Sequence, residues 1–115
     1  MKIVSVCENR SYLRAYKNGK KYAGKYVIAY ALKTNQGSPC RLGLTVTKKR
    51  GIAVVRSRVR RILRAAWCEV LSKRHAKDGF DVILVARDSA VSAKSSDISP
   101  ELERALLYLG VIESE

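Results

Sequence analysis

Lysine and arginine side chains are concentrated in residues 41–68, which hold nine of them and no aspartate or glutamate. After residue 52, apolar residues recur at spacings of three and four, which is typical of one face of a helix. Five arginines lie on the rest of this predicted helix: Arg56, Arg58, Arg60, Arg61 and Arg64. Like charges four residues apart repel by roughly 0.2–0.5 kcal/mol per pair, whereas a guanidinium group can hold a phosphate through two parallel hydrogen bonds. The pattern therefore favours a surface that docks a polyanion over a solvated helix that is merely rich in arginine.

A second cluster, nearer the start of the chain, combines tyrosines with cations. Tyr12 and Tyr16 are four residues apart in a helix predicted over residues 10–18. The charges around them are all positive: Arg10, Arg14, Lys17, Lys20 and Lys21. In one interpretation the two rings pack the short helix on the body of the protein. In the other they form a stacking platform for unpaired bases, with the cations facing the phosphates, and the spacing alone favours neither.

Composition and charge narrow the class of protein. A chain of 115 residues with 47% hydrophobic content predicts one ordered domain, residues 1–115. The net charge is +13, with +18 before Asp78 and −5 from Asp78 onward, so one portion suits a polyanion and the rest does not. No apolar run approaches the roughly 20 residues of a membrane span, so we expect no membrane partner. Three widely spaced cysteines, Cys7, Cys40 and Cys68, predict unpaired, unreactive thiols in the reducing cytoplasm.

Few groups in the chain could catalyse a reaction. His75 is the only histidine, in a basic connection where a surface position is expected. Asp78 and Asp81, and likewise Glu101 and Glu103, are not spaced to share a metal ion. We therefore predict no catalytic residue and no metal ligand on this chain. A stand-alone metal-dependent nuclease and a non-enzymatic RNA scaffold, such as a ribosomal protein, are two functions to be weighed for such a surface.

Two strands are predicted before the basic helix from their alternation of residues. Residues 25–33 have two largely apolar faces, which indicates a central strand. Residues 41–47 place Gly43 and Thr45 on the face opposite their larger apolar neighbours. A polar turn at residues 34–39 separates the two segments, so we predict that the second pairs back on the first in the antiparallel direction.

The elements after this turn complete the predicted order. The basic helix runs to about residue 71, and a buried apolar strand follows at residues 80–86. A loop over residues 87–97 then leads to a last helix. With one further strand before the basic helix, for which no residue range is assigned, the predicted order is helix, three strands, helix, strand, helix (α-β-β-β-α-β-α). We predict an α+β two-layer sandwich with three helices and a mostly antiparallel sheet of about four strands.

Both ends of the last helix carry sequence signals. Ser99 is a suitable N-cap and Pro100 a suitable first helical residue. Glu101 would then lie in the first turn, where a carboxylate is favourable to the helix dipole. Gly110 is predicted to end the helix.

Three segments together resemble the protein subunit family of bacterial ribonuclease P. They are SYLRAYKNGKKYAGKYVIAYAL, RLGLTVTKKRGIAVVRSRVRRILRAAW and GFDVILVARDSA, in the family's order and spacing. The second is the most specific, because it joins a glycine-bearing strand, two lysines and an R-x-R-x-[KR]-R-x-x-R helix. Ser57 and Ile52 stand where the family usually has asparagine, and Tyr12 and Tyr16 where it often has phenylalanine.

The resemblance implies a division of labour within a ribonucleoprotein. The catalytic RNA subunit would hydrolyse the phosphodiester bond with Mg²⁺ that it largely binds itself, and the protein would bind that RNA and precursor tRNA, with no protein partner implied. The surface for the RNA subunit falls on Lys48, Lys49, Arg56, Ser57, Arg58, Arg60, Arg61 and Arg64. The cleft for the 5′ leader of the precursor falls on Tyr12, Arg14, Tyr16, Lys17 and Tyr30. The resemblance also implies a left-handed β-α-β crossover through the basic helix.

Overall fold

A computed structural model describes residues 3–6, 9–34 and 37–113. Its helices are α1 (Asn9–Asn18), α2 (Ala53–Leu71) and α3 (Ser95–Leu109). Its strands are β1 (Val4–Ser5), β2 (Lys20–Ala23), β3 (Val27–Lys33), β4 (Arg41–Thr45) and β5 (Phe80–Ala86). Short 3-10 helices, Lys48–Arg50 and Asp88–Ser92, precede α2 and α3. The α+β class and the three helices are as predicted, and the bounds of α2 agree with the periodicity of its apolar residues.

The sheet is mixed, which corrects the prediction of a mostly antiparallel sheet of about four strands. Its five strands lie in the order β1-β4-β5-β3-β2. β3 pairs antiparallel with β2 and β5, but β4 pairs parallel with β5 and β1. The predicted antiparallel pairing of β4 with β3 is therefore wrong, because β5 lies between them. Neighbouring parallel strands require a crossover, which α2 supplies between β4 and β5; its left-handedness stays a prediction.

The fifth strand, β1, comes from a segment without a sequence signal. It is two residues long and pairs with the start of β4, Val4 beside Arg41. The strand was missed because two residues cannot show an alternation. The turn predicted at residues 34–39 lies partly outside the described residues.

The helices cover both faces of the sheet. α2 and α3 pack on the face that carries Val27, Ala29 and Leu84, and form the main core. α1 packs on the opposite face, where Ala15 contacts a second cluster around Ile83. The buried residues of α2 form one stripe along the helix: Val59, Leu63, Ala66, Trp67 and Val70. None of the helices within the described residues is long and apolar enough to cross a membrane.

The start of α3 differs from the prediction. The helix begins one turn earlier, at Ser95, and Asp97 accepts a hydrogen bond from the Lys94 N–H at 3.0 Å. Pro100 therefore lies inside the helix, and Ser99 is not its N-cap. The proline removes one helical hydrogen bond, but its position near the helix start and on the exposed face limits the cost. Gly110 ends the helix with φ of 80°, as predicted.

An ion pair between the partly buried Arg41 and the buried Asp81 joins β4 to β5. Asp81 is 2% exposed and lies directly beside Arg41 in the parallel ladder. Arg41 Nε and Nη2 donate to its two carboxylate oxygens at 2.8 and 2.7 Å. These two parallel hydrogen bonds explain why the otherwise apolar strand β5 tolerates the charged Asp81.

A second buried carboxylate joins α3 to the turn between β2 and β3. Glu101 is 5% exposed, and its two oxygens accept hydrogen bonds from the backbone N–H groups of Lys25, Tyr26 and Val27, the last two at 2.9 and 3.1 Å. Gly24 makes room for it, since a Cβ there would lie 2.5 Å from the Glu101 carboxyl carbon. The side chain therefore holds the β2–β3 hairpin on α3, which the helix-dipole interpretation of Glu101 did not anticipate.

Replacing Glu101 by alanine should lower the free energy of unfolding by about 3 kcal/mol, because one buried and two partly buried backbone N–H groups would lose their acceptor. The measurement is urea unfolding followed by tryptophan fluorescence. Glu103→Ala is the matched control: its carboxylate is half-buried and paired with Arg74, so its removal should cost less than about 1 kcal/mol. Equal destabilisation in the two variants would contradict this role for Glu101.

Candidate nucleic-acid interface

The arginines of α2 keep most of their hydrogen-bond donors available. Arg56 Nε donates to the Gly51 carbonyl at 3.2 Å, and Arg58 Nη2 donates to the Val91 carbonyl at 2.6 Å. Three others have no protein partner among the described residues: Arg60, Arg61 and Arg64. Ser57 is exposed between the first two. These six side chains, Arg56, Ser57, Arg58, Arg60, Arg61 and Arg64, are called the arginine face.

The acidic residues of the chain do not neutralise the arginine face. Within the described residues, no carboxylate forms an ion pair with an arginine of α2. The acidic side chains of the second half pair elsewhere, Asp88 with Arg50 and Glu103 with Arg74. The charge asymmetry of the sequence therefore persists in the folded protein as a surface of uncompensated positive charge.

The Lys48–Arg50 turn extends this surface at the start of α2. Lys48 and Lys49 are exposed, as expected of cations that face a partner. Arg50 turns inward instead, where its Nε donates to the Ala86 carbonyl at 3.1 Å and its guanidinium pairs with Asp88. Gly51 adopts φ of 131°, a left-handed conformation that permits the sharp entry into α2.

Three tyrosines meet between α1 and the sheet. The Tyr16 ring lies 5.0 Å from the Tyr30 ring in an edge-to-face contact and 6.5 Å from the Tyr12 ring, centroid to centroid. The Tyr12 hydroxyl donates to the Val6 carbonyl at 3.3 Å, and the hydroxyls of Tyr16 and Thr45 share a hydrogen bond at 2.6 Å. We call this group the tyrosine cleft. Tyr12 and Tyr30 are half-buried and Tyr16 is 36% exposed, so the rings both pack and remain open on one side.

The environment of Tyr16 favours the neutral form of its phenol. Burial raises the pKa of Tyr16 above 10.0, with smaller contributions from Tyr12 and Tyr30, while the hydrogen bond with Thr45 opposes the shift. A neutral ring can lie beside phosphates without repulsion. The electrostatics are therefore compatible with stacking against an anionic strand.

The register of the sheet builds the floor of the tyrosine cleft. One row of side chains crosses four strands, because Lys21 pairs with Tyr30, Tyr30 with Ile83, and Ile83 with Gly43. Gly43 is needed in this row, since a Cβ there would lie 2.6 Å from Ile83 Cδ1 and 2.9 Å from the Tyr12 ring. The alternation of β4 had placed Gly43 and Thr45 on one face. It did not assign them to the tyrosine cleft, because the sequence does not indicate which face α1 covers.

A groove joins the tyrosine cleft to the arginine face. It has a volume of about 190 Å³ at the edge formed by β1 and β4. Its lining includes Tyr12 of the tyrosine cleft, Arg60 and Arg64 of the arginine face, and Leu44 of β4. The two residue sets that the sequence suggested separately are therefore parts of one continuous surface.

One of the predicted leader-binding cations does not lie with the tyrosines. Arg14 lies on the other flank of α1, in a separate hollow with Lys33 and Arg41. Lys17 is exposed in the last turn of α1. Lys21, which was not predicted as a site residue, lies beside Tyr30 instead. The proximity of Lys21 to Tyr30 could be identified only from the pairing of β2 with β3.

Groups with catalytic or metal-binding potential are dispersed. Across residues 3–6, 9–34 and 37–113, no three histidine, cysteine, aspartate or glutamate side chains come together as a metal site. Burial raises the pKa of the Cys40 thiol to about 12, with Asp81 and Asp78 adding to the shift, so the thiolate is scarce at neutral pH. Cys68 is also a free thiol, and Cys7 lies outside the described residues.

Comparison with known proteins identifies the family. A basic α+β fold with an arginine-lined helix beside an aromatic cleft defines a protein suited to RNA. A family model described as Ribonuclease P matches residues 2–110, and the chain belongs to this family. The sequence resemblance is thereby confirmed.

Relatives and solved structures agree with this assignment. The ribonuclease P protein component of Clostridioides difficile (strain 630) is 34% identical over 96 residues, which is 84% of this chain and 82% of the relative. That of Alkaliphilus oremlandii is 35% identical over 107 residues, covering 93% and 91%. The structure of the Staphylococcus aureus RNase P protein superposes with a TM-score of 0.81 at 28% identity, covering 97% of this chain and 100% of that one. The RNase P protein from Thermotoga maritima shares the fold, with a TM-score of 0.72 at 23% identity, covering 96% and 98%.

Proposed function

We propose that the chain is the RNA-binding protein subunit of ribonuclease P, which assists removal of the 5′ leader from precursor tRNA. The observation that carries the proposal is the continuous surface formed by the arginine face, the connecting groove and the tyrosine cleft. Family membership favours this function over a stand-alone nuclease and over a ribosomal scaffold. The proposed partners are the catalytic RNA subunit and precursor tRNA, and a cytoplasmic location stays a prediction.

In this proposal the arginine face and the exposed lysines before α2 bind the folded RNA subunit. Structured RNA is recognised mainly through its backbone and shape, and guanidinium groups suit phosphates. The side chains proposed to act here are Lys48, Lys49, Arg56, Ser57, Arg58, Arg60, Arg61 and Arg64. Bound phosphates would neutralise charges that the protein itself leaves unpaired.

The tyrosine cleft is proposed to hold the single-stranded leader. Unpaired bases stack on aromatic rings, with about 1–3 kcal/mol per base, and Tyr16 offers an open, neutral ring beside Tyr30. Lys17 and Lys21 would face the leader phosphates. Arg14, on the far flank of α1, would contribute to leader binding through the longer-range electrostatic attraction between its charge and the phosphates.

Hydrolysis itself is assigned to the RNA subunit and its Mg²⁺. The proposal gives this chain no Mg²⁺ ligand of its own, as the family resemblance implies for an ion held mainly by RNA. We therefore place no ion-dependent step on this chain. The contribution of the protein is to screen phosphate repulsion and to position the leader.

Reconstitution with a bacterial ribonuclease P RNA tests the assignment. At low Mg²⁺, leader removal from a precursor tRNA should be faster with the protein and RNA together than with the RNA alone, because the basic surface offsets repulsion between the two RNAs. The protein alone with Mg²⁺ should cleave nothing. Cleavage by the protein alone, or no stimulation of the RNA, would contradict the proposal.

Arg60→Ala and Arg64→Ala should each weaken binding to the RNA subunit. Each change should also reduce the slope of log K against log salt by about one unit, because one fewer phosphate is neutralised. The measurement is a filter-binding titration of the RNA subunit at several salt concentrations. Lys73→Ala, which removes an exposed cation beyond α2, is the control and should leave the slope unchanged. An unchanged slope in both arginine variants would show that this part of the arginine face does not bind RNA.

Tyr16→Ala should weaken binding of precursor tRNA by the holoenzyme about fivefold or more, because a stacking ring is removed. Binding of mature tRNA should change little, since it has no leader. Tyr16→Phe keeps the ring and removes only the hydroxyl that meets Thr45, so it should bind precursor nearly as well as the unmodified protein. Equal weakening for precursor and mature tRNA would indicate that Tyr16 acts only in packing.

A further inference from the structure

A second pair of tyrosines lies on the opposite face of the sheet from the tyrosine cleft. The rings of Tyr22, on β2, and Tyr108, in the last turn of α3, are 5.5 Å apart at an angle of 54°. Lys20 Nζ lies 4.7 Å from the centre of the Tyr108 ring and donates to the Tyr108 carbonyl at 3.3 Å. We call Lys20, Tyr22 and Tyr108 the edge cluster. The cluster combines aromatic rings with a cation, as the tyrosine cleft does.

Packing accounts for only part of the edge cluster. Leu106 and Leu109 bury the last turn of α3 against the core, whereas Tyr108 remains 57% exposed. A core position would not leave most of an aromatic ring in water, and an exposed ring beside a lysine is suited to base stacking.

The charge around the edge cluster is positive and unpaired. Arg104 lies one turn before Tyr108 on α3 and is exposed, as are Lys20 and Lys21. Among the residues that the structure describes, no carboxylate forms an ion pair with any of these three cations. A suitable partner therefore carries negative charge to match these cations and flat rings that can stack on Tyr108. An unpaired nucleic-acid strand has both.

Strand β2 connects the edge cluster to the tyrosine cleft. It is an edge strand, paired only with β3. Successive side chains of a strand point to opposite faces, so Lys21 lies beside Tyr30 on the face of the cleft, while Lys20 and Tyr22 lie on the other face. A nucleic-acid strand that leaves the cleft across β2 passes Lys21 first and then meets the edge cluster.

We propose that Lys20, Tyr22 and Tyr108 form a second stacking site for unpaired RNA, which takes the part of the precursor leader that extends beyond the tyrosine cleft. The proposal rests on the proposed function, because it requires the leader to occupy the cleft. Beyond the proposed function, it adds a second binding site on the other side of β2, and it predicts that the affinity for precursor tRNA depends on leader length. Single-strand sites on proteins commonly cover about 4–16 nucleotides, which is long enough to round one edge strand.

Leader length separates this site from the tyrosine cleft in a binding experiment. Holoenzyme affinity is measured for two precursors, one with a leader of about 4 nucleotides and one with about 12, within the range of single-strand sites. Tyr108→Leu should weaken binding of the long-leader precursor about fivefold or more and leave the short-leader precursor unchanged. Leucine keeps an apolar side chain against Tyr22 but has no ring face, so the change removes stacking while most of the packing remains.

Two controls make each outcome decisive. Tyr108→Phe keeps the ring and should bind both precursors like the unmodified protein, and urea unfolding should show that Tyr108→Leu is folded at the temperature of the assay. If Tyr108→Leu is not folded there, Arg104→Gln replaces it, and a smaller salt slope for the long leader alone is then the expected result.

The two proposals fail in different ways. Tyr16→Ala should weaken both precursors, and its failure to weaken either would overturn the leader cleft itself. A normal effect of Tyr16→Ala with no dependence on leader length in the Tyr108→Leu or Arg104→Gln variant would overturn the edge cluster alone. Equal weakening of both precursors by Tyr108→Leu would also overturn it.

Discussion

The ion pair between Arg41 and the buried Asp81 joins β4 to β5 in their parallel register, and the rest of the interface depends on this register. It places Gly43 beside Ile83 and Thr45 beside Val85, so that Tyr12 has space and Tyr16 has a hydroxyl partner. Parallel neighbours also require the chain to cross over, which positions α2 next to β4. The arginine face and the tyrosine cleft are therefore adjacent because β4 aligns parallel to β5, an alignment in which Arg41 and Asp81 are paired.

The distribution of acidic side chains determines which cations remain available. Glu101 and Asp81 are buried and serve the fold, while Asp88 and Glu103 pair with Arg50 and Arg74, away from the arginine face. Arg60, Arg61 and Arg64 have no such partner in the described residues. A helix with this density of like charge is tolerated best when a polyanion neutralises it. The acidic second half of the chain thus supports the fold without weakening the affinity for RNA.

The elements that could be predicted from the sequence are those with a clear period or a terminal signal. The bounds of α2, the glycine that ends α3 and the alternation in β4 all follow from spacing. The direction of β4 did not, because β5, which follows α2 in the chain, is inserted between β3 and β4, and alternation does not identify a strand's partner. The earlier start of α3 was missed because the Ser99-Pro100 signal is strong but local, whereas Asp97 supplies the hydrogen bond that begins the helix.

For the candidate site, as for the fold, features set by nearby residues were predicted, and contacts between residues far apart in the sequence were not. Tyr12 and Tyr16 were predicted as candidate site residues from their spacing, and Tyr30 from the family resemblance. The positions of Lys21 and Thr45 beside these rings required the pairing of strands. Glu101 was misinterpreted because its partners are 74 to 76 residues away.

The long separation between Glu101 and its partners also has a consequence for the timing of assembly, because the β2–β3 hairpin is synthesised well before Glu101 has been added. Until then, the N–H groups that Glu101 will bind have no carboxylate from the protein, and the sheet beneath Tyr30 is incomplete. The arginine helix is therefore synthesised before Glu101, and the β2–β3 hairpin can be fixed on α3 only after synthesis has passed the start of the third helix.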